Sequence, residues 1–274
     1  MTESETKRHN SGKPSRQLQA TTMQVTFLGT GVSILSNRRR PSGILVDFGA
    51  DYILLDAGPG IAQALEEKEH LASRIRHVFL THLHLDHTHD YATLVNDRAF
   101  TTRQPLNVCG PRGLKRHSTL LFRQLYRDVA STLGCYDYLR IKEAMRGPVA
   151  EGQTWRVSCE PTEHADGVAY RIDCGHQSLL YSGDTEPCQS LVELGRAVDL
   201  AILECSFPDL ASMKGRHLYP ATAAELAERM KAKRLVLTHL YPECEGRESE
   251  MLGNVKSVYG GEVDLAEDGM KIVV

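Results

Sequence analysis

Thr81-His82-Leu83-His84-Leu85-Asp86-His87 follows directly on the apolar run Val78-Phe79-Leu80, and its reading decides how the rest of the chain is understood. In an extended strand successive side chains point to opposite faces, so His82 and His84, two apart, emerge on one side and can grip one cation. If the strand then turns into a helix, Asp86 and His87 swing to the far side of the same pocket and can hold a second. Imidazole with carboxylate suits zinc, manganese or iron better than calcium or magnesium, without choosing among those three. A lone histidine is usually a surface or capping residue. An H-x-H-x-D-H run behind an apolar strand reads as a metal site.

Outward from that run, short apolar stretches bounded by glycine, proline or asparagine predict strands at 25–28, 44–46 and 52–55, and a further strand running into His82. Helical spacing is expected over 61–71, 90–100 and 114–129, the last with Leu114, Leu121 and Leu125 on one side and its basic residues on a solvated face. Strands are expected again at 155–159, 168–172, 179–182, 200–203, 235–237, 262–266 and 270–274, with a helix at 189–195. Thr222-Ala223-Ala224-Glu225 has the spacing of a capping box and predicts another helix start. Leu80-Thr81-His82-Leu83 recurs as Leu237-Thr238-His239-Leu240, each ending an apolar strand, which points to two related halves. Further ligands for two cations are therefore sought at strand ends in the second half, where His164, Asp184 and His239 stand.

The chain has 274 residues, 41% of them hydrophobic, enough for a sizeable core, and no apolar run long enough to span a bilayer. A formal charge of −3 argues against a protein built mainly to hold long nucleic acid, while leaving room for a local basic patch. Seven cysteines form no C-x-x-C pair, and an odd count leaves a thiol unpaired, so a reducing cytoplasm is the simpler home. Residues 1–22 are polar and mixed in charge and are expected to be a disordered tail, ahead of a hydrolase domain over 23–274.

The His82–His87 run resembles the signature of the metallo-β-lactamase superfamily of metal-dependent hydrolases. Phe27-Leu28-Gly29-Thr30-Gly31, Leu55-Asp56-Ala57-Gly58, Tyr181-Ser182-Gly183-Asp184-Thr185 and Leu237-Thr238-His239 resemble that family's other motifs, in its order. The resemblance implies an α/β fold, a four-layer αββα sandwich of two mixed sheets flanked by helices, with the metals at the strand ends. It implies that His82, His84 and His164 hold one divalent metal, that Asp86, His87 and His239 hold the other, and that Asp184 bridges them. Two cations about 3.5–4 Å apart share a water and lower its pKa from 15.7 toward roughly 7, which makes the site hydrolytic. Zinc is the expected metal, with manganese or iron as alternatives.

His217, in Gly215-Arg216-His217, resembles the extra, non-ligand histidine of ribonuclease Z and the phosphoribosyl cyclic phosphodiesterases, which faces the scissile phosphate. With Asp86 it is counted as catalytic, and Arg216, Phe207 and Tyr241 are candidates for touching substrate. Between His164 and Asp184 only nineteen residues intervene, too few for a long transfer-RNA arm, and Gly31 to Gly43 lacks the cysteine of a structural zinc. The expectation is thus a two-metal phosphodiesterase for a small phosphodiester such as a cyclic nucleotide or cyclic sugar phosphate, with the segment 112–145 as a helical substrate cover. The rivals are a carbon-centred lactonase or thioesterase, a ribonuclease-Z-like RNA-processing nuclease, and a non-hydrolytic metal-binding partner. Homodimers are frequent among such relatives, though no residue marks a contact. His77 and His89 are read as supporting or simply exposed, and His9, His70, His117 and His176 as solvent-facing.

Overall fold

The computed structural model describes residues 22–68 and 71–274. The expected disordered tail therefore lies outside the described residues up to position 21, as do His9 and His70.

Two seven-stranded sheets face each other. The first takes β1 (Gln24–Gly29), β2 (Gly43–Asp47), β3 (Tyr52–Leu55), β4 (His77–Phe79), β5 (Leu106–Gly110), β6 (Leu139–Glu143) and β14 (Lys271–Val273), in the order β14-β1-β2-β3-β4-β5-β6. The second takes β7 (Gly147–Glu151), β8 (Trp155–Pro161), β9 (Val168–Cys174), β10 (Gln177–Tyr181), β11 (Leu200–Glu204), β12 (Arg234–Thr238) and β13 (Glu262–Leu265), in the order β13-β12-β11-β10-β9-β8-β7. Phe27, Phe79, Trp155, Tyr170 and Tyr181 are among the side chains that fill the space between them. Helices α1 (Ile61–Glu67) and α2 (Leu85–Phe100) cover the outer face of the first sheet. Helices α6 (Gln189–Leu194), α7 (Pro220–Met230) and α8 (Glu248–Lys256) cover the second. Two mixed sheets between two helical layers make the four-layer αββα sandwich.

Each sheet is antiparallel in one half and parallel in the other: β3-β4-β5-β6 run parallel out to the edge of one, and β10-β11-β12-β13 out to the edge of the other. Parallel strands need covering on both faces, which explains why β11, Leu-Ala-Ile-Leu-Glu, is buried along its whole length. Parallel strands also send their loops out at one end, and in open α/β sheets ligands bind beyond those carboxyl ends.

Several elements differ from expectation. The strand predicted to reach His82 stops at Phe79, because Leu80 to His84 must climb away from the sheet to start α2. The helix predicted over 61–71 ends at Glu67, with a short 3-10 turn at Ala72–Arg74. Segment 114–129 is not one helix: α3 (Leu114–Thr119) passes through a π-helical stretch, Leu120–Leu125, into α4 (Arg127–Leu133), and the single turn α5 (Cys135–Tyr138) follows. The wider turn, in which the Tyr126 amide donates to Leu121 O, breaks the 3.6-residue period, so Leu125 faces solvent although Leu114 is buried. Residues 139–143, expected to be helical cover, form edge strand β6. Helix α7 starts at Pro220, whose missing N–H costs nothing at that position, and Thr222 Oγ1 accepts from the Tyr219 amide at 3.0 Å. Thr222 is therefore the third helical residue and not the cap.

Candidate metal centre

The centre lies where the loops after β4, β8, β10 and β12 meet. Six imidazoles and two carboxylates converge there, and they fall into overlapping groups whose donor atoms all lie within 4.8 Å of one another. One group is His82, His84, His164 and Asp184, another Asp86, His87 and His239, and a third Asp184, His217 and His239. Asp184 stands between the first two. Its Oδ2 is 3.7 Å from His82 Nε2 and 3.9 Å from His164 Nε2, while its Oδ1 is 3.4 Å from His87 Nε2 and 3.3 Å from His239 Nε2. Asp86 Oδ2 closes the second group at 3.5 Å from His239 Nε2. His84 is exposed and His164 half-buried, so the first group forms the mouth and the second the floor.

Local geometry sets these positions. His84 is the extended residue before α2, so Asp86 and His87 occupy the helix's first turn. Gly58 allows that helix start to approach closely, since a Cβ there would lie 2.2 Å from Asp86 O. Gly183, at φ 56°, turns the chain after β10; a side chain there would strike Thr81 at 2.6 Å.

Partners outside the cluster fix which imidazole nitrogen faces inward, the usual role of groups behind metal-binding histidines. His87 Nδ1 donates to Asp56 Oδ2 at 2.7 Å, leaving Nε2 for the centre. Asp56 is fully buried and also accepts from Thr81 N at 2.7 Å and Tyr181 Oη at 2.8 Å. His164 Nδ1 donates to Arg216 O at 3.0 Å. Ser206 Oγ lies 3.0 Å from His239 Nδ1 and donates to Glu204 Oε2 at 2.6 Å. Glu204 Oε1 in turn receives His217 Nδ1 at 3.0 Å and the Thr185 amide at 2.7 Å. Asp56 enters the sequence reading only inside a motif, and Glu204, one residue past the strand expected at 200–203, does not enter it; neither carries a ligand-like spacing that would mark it.

Charge inside the pocket is strongly partitioned. Burial, and after it the neighbouring His87, hold His82 well below the usual imidazole range, and burial with the nearby His164 lowers His84. Burial would also lower His87, but Asp184 and Asp56 outweigh it and raise it well above that range. Burial alone would raise both carboxyls; His239 and His87 overcome it and hold Asp184 and Asp86 far down. Burial is likewise outweighed at His217, whose pKa is raised by Glu204 and, behind it, Asp184 and Asp86.

The donor set fits divalent cations. His82 Nε2 and Asp184 Oδ1 are buried with no hydrogen-bond partner, and buried polar atoms are otherwise nearly always satisfied. Imidazoles and ionised carboxylates aimed at shared points are what a binuclear metal centre requires, and a bound cation would take the place of the proton that Asp184 and Asp56 favour on His87.

Of the substrate candidates, Tyr241 is half-buried and stacks on Phe207 at 4.6 Å, 6.0 Å from the His217 ring. Phe207 is fully buried, so it packs beneath Tyr241 and offers no face to a ligand. The Arg216 guanidinium is held by Glu186 and Glu163. His77 packs edge-on against Trp155 at 5.0 Å. His176 and His89 are exposed, but His117, read as solvent-facing, is half-buried in a cavity beside α2. All seven cysteines are free thiols. Among the described residues no helix is long and apolar enough to cross a membrane.

An αββα sandwich with a binuclear metal centre at its strand ends defines a metal-dependent hydrolase. The family model described as "Beta-lactamase superfamily domain" matches residues 51–240, and the chain belongs to that superfamily. It is 28% identical to the Ribonuclease Z of Mycobacterium sp. (strain KMS), over 92% of this chain and 96% of that protein. Among solved structures, the metallo-beta-lactamase fold protein YhfI from Bacillus subtilis superposes with a TM-score of 0.79 at 23% identity, covering 92% of this chain and 100% of that one. Human tRNase Z, short form, superposes with a TM-score of 0.71 at 25% identity, over 91% and 98%.

Proposed function

We propose that this chain is a two-metal phosphodiesterase acting on RNA, with His217 as the acid that protonates the departing oxygen. The observation that carries the reading is the buried His217–Glu204 pair beside both ligand groups. With Nδ1 committed to Glu204, Nε2 is the nitrogen left to donate, and the raised pKa keeps that proton available toward neutral pH. A phosphodiester releases an alkoxide that needs such a proton. A thioester hydrolase on the same frame has less use for it, because a thiolate leaves unaided, and a lactonase lacks the dianionic transition state that a cationic histidine favours.

His82, His84, His164, Asp86, His87, His239 and the bridging Asp184 are the residues assigned to hold the metals, with zinc the leading choice. When bound, the two cations supply Lewis acidity and a water acidified enough to give hydroxide near neutral pH. The protein's part is to hold His87, His164 and His239 in one tautomer each through Asp56, Arg216 O and Ser206.

RNA is favoured over the small phosphodiester expected from sequence because the curated relatives, such as the mycobacterial protein, carry the name Ribonuclease Z along nearly their whole length. The small cyclic phosphodiester remains a second reading on one observation: between His164 and Asp184 the chain is taken up by the β9–β10 hairpin, with no long arm.

The test compares wild type with His217→Ala on RNA bearing a 3′ extension, a cyclic nucleotide, bis(p-nitrophenyl) phosphate and a lactone, with metal content measured for both. His217→Ala should keep its metals and lose about 10²–10⁴-fold on RNA, the usual contribution of a positioned acid, and less on the aryl ester, whose phenolate leaves unaided. Turnover of lactones alone, or RNA turnover unchanged in His217→Ala, refutes the reading.

A further inference from the structure

We propose that the cavity between α2 and the α3–α4 segment, together with the basic face beside it, seats a single strand of polynucleotide and receives one unpaired base next to the metal centre. The proposal rests on the phosphodiesterase reading above and names where its substrate lies.

The cavity has a volume of about 390 Å³ and is lined by Thr88, Asn96, His117, Phe122, Tyr126 and Val129 among others, with no Asp, Glu, Lys or Arg in its wall. Leu85 and Thr88 belong to that wall and share the first turn of α2 with Asp86 and His87; Thr88 Oγ1 donates to His84 O at 2.9 Å. The cavity wall thus shares a helical turn with Asp86 and His87. Its wall is apolar and aromatic with a few neutral hydrogen-bonding groups, and burial favours the neutral form of His117. That combination suits a flat, uncharged heterocycle.

The exposed side of the segment that walls the cavity is the reverse. Over 112–128 the sequence carries Arg112, Lys115, Arg116, Arg123 and Arg127 against a single acid, Asp128, on a chain whose net charge is −3. All five cations are exposed. Arg123 lies over the Tyr136 ring at 4.6 Å, Arg127 has only exposed Asp128 at 3.6 Å, and the other three form no ion pair among the described residues. The π-helical stretch turns Leu125 and Tyr126 outward, 72% and 51% exposed, so apolar surface lies among the cations. Cations for phosphates with aromatic surface for bases is the composition of a single-strand binding face. One small phosphodiester would engage few of the five. A second copy of this chain docked face to face would set like charges opposite each other, so the charge pattern selects a polyanion over a dimer.

The experiment uses the full metal-loaded chain and fluorescence anisotropy of a labelled single-stranded RNA of about 12 nucleotides, within the range such faces cover. Combined Lys115→Gln, Arg116→Gln and Arg127→Gln should weaken RNA binding about tenfold or more and make log Kd against log salt shallower by about two, as three lost phosphate contacts require. Ala92→Trp, which fills the cavity, should weaken RNA by about fivefold or more, a stacked base's contribution, with inorganic polyphosphate affinity held within about twofold. In both variants kcat/KM for RNA should fall relative to that for bis(p-nitrophenyl) phosphate. RNA affinity unchanged in both variants overturns the proposal. So does a dimer that Leu125→Glu splits with RNA affinity intact, which would assign the face to a second copy. Wild type that binds RNA through this face but cleaves no phosphodiester supports the seat and sinks the hydrolase reading instead.

Discussion

Asp56 sits at φ 57°, a conformation that costs a non-glycine residue about 1 kcal/mol or more, with its carboxylate sealed under the metal centre. Its two oxygens collect donors from Thr81, Tyr181 and His87, residues up to 125 positions away in sequence. Asp56→Asn keeps the shape but replaces one acceptor oxygen by a donor, so one of those donors must face another. His87 then loses its fixed tautomer, and metal affinity should fall about 10–100-fold, the usual penalty for removing a partner behind a ligand. Competition against a calibrated chelator measures it, and an affinity equal to wild type would mean that His87 is oriented by something else. The same contrast explains what the sequence reveals at this scale. His82, His84, Asp86 and His87 share one short run, His239 ends an apolar strand, and His164 and Asp184 stand in the turns shortly after two others, so each has a local signature. Asp56 and Glu204 act through partners distant in the chain, and no local pattern betrays such a role.

At the scale of elements, buried strands were legible because each is a short apolar run between turn residues, as in β1, β2, β3 and β11. Strands β6 and β7 are harder to read: β6 follows without a break on helical residues up to Tyr138, and β7, Gly-Pro-Val-Ala-Glu, carries glycine and proline in place of an apolar run. Helix 114–129 failed for a different reason: a period of 3.6 cannot foresee a π-helical turn. Where strands cross over, single side chains do the joining. Asp199, just before β11, accepts from Ser178 N at 2.8 Å and Ser178 Oγ at 2.9 Å on β10, and from Lys233 Nζ at 2.6 Å before β12. Burial would raise its pKa, but Lys233 and Ser178 outweigh that and lower it. A carboxyl lowered on folding adds stability that is complete above its unfolded pKa and is lost as pH falls through its folded one. Asp199→Asn should cost about 1 kcal/mol near neutral pH, discounting the exposed lysine. The deficit should shrink as pH falls below 3.8, the ordinary carboxyl value, and through the lowered value of the folded protein, where wild type also loses its charge. Urea melts across that window test this, and a deficit independent of pH would rule out the charged form as the source.

At the scale of the molecule, the metal centre joins the two halves that the Leu-Thr-His-Leu repeat foreshadows. His82, His84, Asp86 and His87 follow β4 of the first sheet, whereas His164, Asp184 and His239 follow β8, β10 and β12 of the second. Apart from the packing between the sheets, no disulfide ties the halves together, since every cysteine is free. Cations held as proposed, by groups from both sheets, would act as a clamp that exists only in the folded state. By mass action a ligand at a hundred times its Kd stabilises the fold by about 2.7 kcal/mol, and for a chain of this size each kcal/mol moves Tm by about 2–4 °C. Chelation should therefore lower Tm by about 5–10 °C, and added zinc should restore it in a concentration-dependent way. The clamp makes a sharper demand than binding alone. His239→Ala removes a ligand of the second sheet only, yet it should abolish most of the zinc-dependent shift, as His82→Ala from the first sheet should. Scanning calorimetry of the three proteins with and without zinc decides it: a full shift retained in either variant would mean that the cations sit within one half and do not couple the two.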